Sequence, residues 1–258
     1  MKDLILQRLN EIETTEKVVI FYACESGSRA WGFPSADSDY DVRFLYLRPV
    51  DWYLSIAEKR DVIERELENN LDVNGWDLKK ALNLLRKSNP PLLEWLGSPI
   101  VYQEKFAVAA QMRRLADLYY SPVGCMYHYL HMARGNFREY LKGDEVWHKK
   151  YFYVLRPILA IQWIEKGYGV APTAFGDLVS RLVSDSVLRT EIDKLIEEKR
   201  QGAELDKGPR IAAISDFIES ELERWDRNGI SGKQPHVAVE QLDDLFRNAL
   251  NEIWQIKA

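Results

Sequence analysis

Cysteine and histidine are scarce, with only Cys24, Cys125 and four histidines in 258 residues. Neither cysteine stands in a CxxC or finger-type spacing, so neither a structural zinc site nor a disulfide framework is expected. Cys24 closes the apolar run VVIFYAC and reads as a buried thiol. Long hydrophobic runs are also missing: none approaches the roughly 20 residues that cross a bilayer. The opening MKDLILQRLNEIE has the spacing of an amphipathic helix, without the basic start and small-residue cleavage site of a secretory leader. A cytoplasmic protein with no membrane partner is expected. Excess positive charge is absent too. A formal net charge of -5 argues against coating nucleic acid by bulk electrostatics, though not against a local basic patch. Ser231-Gly232-Lys233 lacks the upstream glycine and following Ser/Thr of a Walker A loop, and no GxSxG stretch supports a hydrolase. No internal repeat or low-complexity tract interrupts the chain.

What is present falls into two parts. Residues 3–13 read as an opening helix, and 18–24 and 40–47 as β-branched and aromatic strands. Residues 61–66 and 70–74 are further strand candidates, and 77–87 form a helix with Asp77 as its N-cap. After Asn89-Pro90-Pro91 the periodicity is helical throughout: 92–97, 103–118, 122–142, 148–167, 173–184, 187–200, 209–228 and 237–256. The expected fold class is α+β. A mixed-sheet domain over 1–90 is followed by an all-helical domain over 91–258.

The chemistry concentrates in ESGSRAWGFPSADSDYDVRFLYL, residues 25–47. Gly27 lets backbone approach a ligand closely, and Ser28 offers a hydroxyl and an N–H at a helix start, where phosphate is favoured. Asp39 and Asp41 are two apart, so on a strand they share a face. Two adjacent carboxylates repel each other unless a cation compensates. Mg²⁺ is typically held by one or two carboxylates together with substrate phosphates, so the pattern points to a metal–triphosphate complex. A third carboxylate on a neighbouring strand would complete a two-metal site. Asp72 is the leading candidate and Asp77 the fallback, since Asp77 already has a structural reason to exist as a cap. Arg29 and Arg43 suit phosphate oxygens, or alternatively an ion pair with the aspartates. Lys149, Lys150 and Arg156, interleaved with aromatics on one helix, suit triphosphate or nucleic acid, or alternatively form the basic rim of an amphipathic helix.

Gly27-Ser28, ten residues, then Asp39-x-Asp41 and a later strand aspartate resembles the DNA polymerase β-type nucleotidyltransferase superfamily. More closely, residues 25–46 together with GWDLKKALNLLRKSNPPLLEWLGSPIVY and KKYFYVLRPILAIQWI resemble the YcgL/RlaP-like family of predicted bacterial nucleotidyltransferases. The similarity runs from about residue 15 to 170. The resemblance implies a polymerase β-like catalytic domain that transfers a nucleoside monophosphate from an NTP, with ATP among its substrates, and expels pyrophosphate. It implies two Mg²⁺ ions, with Mn²⁺ as substitute, held by Asp39, Asp41 and Asp72. Gly27, Ser28, Arg29 and Lys150 would bind substrate. The acceptor stays open among an RNA end, a protein side chain and a small molecule; the resemblance tilts toward RNA and the low net basicity tilts back. The alternative is a nucleotide-binding or antitoxin-like protein that uses the same fold without turnover. The retained acids argue against it, because they cost stability without a cation.

Overall fold

The computed structural model describes residues 1–68, 70–202, 205–232 and 238–255. In chain order the elements are α1 (Lys2–Glu16), β1 (Val19–Glu25), α2 (Gly27–Trp31), β2 (Tyr40–Leu47), α3 (Val50–Tyr53), β3 (Val62–Glu68) and β4 (Leu71–Asp77). They continue with α4 (Leu78–Arg86), α5 (Pro90–Leu96), β5 (Val101–Glu104), α6 (Val108–Tyr119), α7 (Pro122–Tyr140), β6 (Glu145–Trp147) and α8 (His148–Glu165). The last are α9 (Phe175–Leu182), α10 (Ser186–Arg200), β7 (Lys207–Pro209), α11 (Ala212–Asn228) and α12 (Glu240–Trp254). The class is α+β, as expected.

Two compact units result. The first comprises the described residues of Met1–Ala30, Asp39–Tyr120 and Pro235–Ala258; the second comprises those of Trp31–Ser38 and Ser121–Gln234. The first holds a five-stranded sheet in the order β3-β4-β2-β1-β5. β2 and β4 run parallel at its centre and the other pairs are antiparallel. Ile5, Leu9 and Ile12, at helical spacing on α1, bury against Ile20, Val42, Phe44, Leu71 and Val73 on one face of the sheet. Phe44 lies where a Cβ on Gly75 would be, 2.2 Å from its ideal position, so only glycine lets β4 pack there. On the other face the Tyr22 hydroxyl donates to the Trp95 carbonyl (2.6 Å), and Trp76 and Trp95 stack with centroids 3.7 Å apart.

The boundary expected near residue 90 is therefore corrected. A sheet with an apolar side must have that side covered. α5 and α6 belong to the sheet's own unit, and α12 returns to it, with Phe246 edge-on to Tyr53 at 5.0 Å. Residues 103–104, expected as helix, lie instead in β5. Its pairing with β1 satisfies the backbone of the sheet's edge, and Lys105 N–H extends it by donating to the Phe21 carbonyl (2.8 Å). The second unit is not wholly helical either. β6 and β7 form a two-stranded ribbon that pairs Trp147 with Lys207.

Candidate active site

β1 ends at Glu25, and the chain turns through Ser26 into Gly27, whose φ of +55 is a left-handed conformation that glycine adopts without penalty. Ser26 N–H donates to the Asp41 carbonyl (2.8 Å), which ties this turn to the start of β2. The contact is tight: an ideal Cβ on Gly27 would stand 1.9 Å from Asp41 Oδ2. Any side chain at residue 27 would displace that carboxylate. The expected closeness of the Gly27-Ser28 turn to the first strand acids is thus present for Asp41.

Parallel register sets the second acid. Asp41 on β2 pairs directly with Asp72 on β4, so both carboxylates issue from one level of the sheet, on the face opposite α1. Between them lies Arg43, two residues along β2 and hence on the same face. Its Nη2 reaches Asp41 Oδ1 at 3.0 Å and Asp72 Oδ2 at 2.7 Å, while Nη1 donates to the Val42 and Asp72 carbonyls at 3.1 and 3.0 Å. Of the two roles open to Arg43 in the sequence, the structure shows the ion pair. Asp39 is exposed and precedes β2; its carbonyl accepts from Arg29 Nε at 3.2 Å. The Arg29 guanidinium lies 3.7 Å from the centre of the Tyr40 ring, so this arginine braces the backbone between the two acids.

Asp77 sits elsewhere. It ends β4 beside Tyr46, five residues and therefore roughly 16 Å from Asp72 along the strand. Its carboxylate accepts from Lys79 N–H (2.8 Å) and the Tyr53 hydroxyl (2.6 Å), the cap that the sequence predicts for α4. Burial pushes its carboxyl up to about 6, against the lowering pull of those two donors.

One acid beside the site escaped the sequence reading. Glu25 is fully buried, accepts from Asp41 N–H through Oε1 (2.7 Å) and from the Tyr102 hydroxyl through Oε2. Burial raises its carboxyl above the usual range, and the nearby Asp41 charge adds to that. It fixes the backbone that carries Asp41. The only sequence signal was an ionisable residue closing an apolar run.

Lys150 belongs to the second unit, with its ammonium 4.1 Å from the Tyr140 ring centre and 5.0 Å from that of Tyr153. Arg156, grouped with it by spacing, is buried within that unit. It bonds to the Thr173 and Pro172 carbonyls beneath Trp31, so it forms no part of a basic rim.

The donor set for a hard cation is all oxygen, as Mg²⁺ requires. Among the described residues, no three acidic, histidine or cysteine side chains are already grouped as a metal cage. Asp41 and Asp72 offer oxygens of the kind such an ion takes, and Arg43 shares one oxygen of each. Among the described residues no helix is long and apolar enough to cross a membrane.

The chain belongs to a DNA polymerase beta class of protein. Within that class it is a member of the RlaP family, the RNA repair pathway DNA polymerase beta family, whose model matches residues 1–248. It is 50% identical over 256 residues to the uncharacterized protein YcgL of Bacillus subtilis (strain 168), covering 99% of this chain and 98% of that one. A nucleotidyltransferase-like protein from Exiguobacterium sibiricum 255-15 aligns over 96% of this chain and 90% of its own, at 10% identity and a TM-score of 0.33. That likeness is too slight to carry an argument.

Proposed function

We propose that the chain is a nucleotidyltransferase that moves a nucleoside monophosphate from an NTP, ATP among them, to an acceptor hydroxyl. The observation carrying this reading is the pairing of Asp41 with Asp72, with the Asp41 carboxylate pressed against Gly27. Asp39, Asp41 and Asp72 would hold two Mg²⁺ ions, or Mn²⁺ in their place. When bound, such ions neutralise the triphosphate and favour in-line displacement. The turn at Gly27 and Ser28 supplies N–H groups and a hydroxyl to the β- and γ-phosphates, and Arg29 keeps Asp39 in place. The acceptor oxygen forms the new bond to the α-phosphorus while the bond from that phosphorus to the bridging oxygen breaks. Pyrophosphate leaves with the bonding pair, and the hydroxyl proton passes to Asp72, whose side chain is 44% exposed and so open to an incoming acceptor. The family's description as an RNA repair pathway group favours an RNA end as acceptor.

The test is incubation with each α-³²P-labelled NTP, Mg²⁺ and RNA with either hydroxyl or phosphate ends, following label transfer and pyrophosphate release. Asp41→Asn and Asp72→Asn should each reduce both to background while the thermal midpoint stays near that of the parent. Undiminished transfer by either variant would refute the reading.

A further inference from the structure

The second unit holds a pocket of about 530 Å³, within the size range of small-ligand sites. Its walls come from separate stretches of chain: the end of α7, β6, the first turn of α8, the end of α10, and the segment Trp31–Ser38. Two features distinguish it from an ordinary surface dip. First, lysines are grouped there. Lys149, Lys150 and Lys199 line it, against the two carboxylates Asp37 and Asp206. Among the described residues neither Lys149 nor Lys150 has a carboxylate partner. Lys199 donates to the Ser35 hydroxyl at 3.3 Å. Second, the aromatics among these lysines are open to solvent. Trp147 is 39% exposed, and Lys207, its partner across the β-ribbon, holds its ammonium 5.5 Å from the indole. Tyr140, also in the lining, has its ring centre 4.1 Å from the Lys150 ammonium. Aromatic faces interleaved with lysines are what a base and its phosphate require together: the ring takes the base by stacking and the ammonium takes the phosphate.

We propose that this pocket binds a nucleoside phosphate, with Trp147 and Tyr140 against the base and Lys149 and Lys150 on the phosphate. Two sources carry that chemistry, the phosphorylated end of an RNA acceptor and a free NTP. The binding claim itself does not require transfer; only the role of the first source as acceptor rests on the proposed function. Ser35 and Asp37 belong to the segment that follows Gly27-Ser28 and leads into Asp39, so an occupied pocket engages the loop that joins the two halves of the active-site motif.

The experiment measures binding of a fluorescein-labelled, end-phosphorylated oligoribonucleotide by anisotropy, without NTP or metal, so that loss of transferase activity cannot affect the result. Trp147→Ala should weaken binding about tenfold. Lys149→Gln with Lys150→Gln should weaken it similarly and lower the slope of log affinity against log salt by roughly 0.7 for each lost phosphate contact. Lys150→Arg keeps the charge and should retain most of the affinity, which separates this role from a structural one. Unlabelled ATP distinguishes the sources. Competition that the lysine substitutions relieve assigns the pocket to the NTP, and no competition assigns it to the RNA end. Oligonucleotide and ATP binding that are both indifferent to all these substitutions, in proteins with parental melting curves, would overturn the proposal. A protein that binds here as described but transfers no label would leave this site standing and remove the transferase reading alone.

Discussion

Replacing Gly27 with alanine tests the site where geometry is tightest. The new Cβ would stand 1.9 Å from Asp41 Oδ2 and 2.7 Å from its Cγ, against ordinary van der Waals contact near 3.4 Å and beyond. One partner must therefore move by about 1.5 Å, and the mobile one is the Asp41 carboxylate, because residue 27 is anchored by β1 and by Ser26 N–H on the Asp41 carbonyl. Rotation of that carboxylate loosens its 3.0 Å contact with Arg43. The left-handed backbone adds a penalty of about 1–2 kcal/mol for any residue with a Cβ. The expected loss of stability is thus modest, about 1–3 kcal/mol in urea unfolding. The expected loss of turnover is larger, since misplacing a reacting group by about 1 Å costs on the order of a hundredfold. Pyrophosphate release and equilibrium unfolding, measured on the same preparation, give both numbers. Transfer within about threefold of the parent would show that the Gly27–Asp41 contact does not position the chemistry.

Two further perturbations read the charges. Arg43→Gln removes the cation between Asp41 and Asp72 and should cost about 1–3 kcal/mol; Mg²⁺ should raise its melting temperature more than the parent's, and an equal response would deny the acids a metal-binding role. Asp77→Asn addresses the buried cap: because the folded pKa is raised to about 6 from 3.8, the folded state holds the proton more tightly, so the contribution to stability is full in acid and is lost as pH climbs through about 4 to 6, by about 2–3 kcal/mol. The difference between parent and Asp77→Asn in urea midpoints from pH 4 to 7 measures this, and parallel curves would refute the raised pKa.

Much of the first unit was legible because local chemistry specifies it. The bounds of β2 follow from a run of strand-formers between a turn-rich loop and Pro49, and the start of α4 follows from Asp77 ahead of an amphipathic stretch. β5, β6 and β7 are three or four residues long, and what makes them strands is a hydrogen-bonding partner distant in sequence. No window of local propensity contains that partner. The displaced domain boundary has the same origin. α5, α6 and α12 look alike by periodicity to helices of the second unit, and only what they pack against distinguishes them: α5 and α6 lie against β1, and α12 against α4 and α6. Within the site, Asp41 and Gly27 were legible from spacing. Asp72 is preferred to Asp77 because Asp77 reads as a cap, and the register of β2 on β4 sets Asp72 opposite Asp41. Glu25 was hidden because its donors, the Asp41 N–H and the Tyr102 hydroxyl, lie 16 and 77 residues away.

Arg43 also changes the weight of one inference. Two neighbouring acids suggest a cation, but a guanidinium 3.0 and 2.7 Å from them supplies one from within the chain. Repulsion alone therefore no longer separates an enzyme from a protein that merely binds nucleotide. The left-handed glycine held against Asp41 does not separate them either, since a Cβ at residue 27 would displace the carboxylate from Arg43 as surely as from a bound cation. Both readings share that contact. They part at Asp72, which in the proposed reaction accepts the acceptor's proton and which a binding protein would need only as a partner for Arg43. If Asp72→Asn leaves NTP affinity unchanged and abolishes transfer, the acid belongs to the reaction. If the parent binds NTP and releases no pyrophosphate with any acceptor, the pair is a structural clasp and the site one for binding alone.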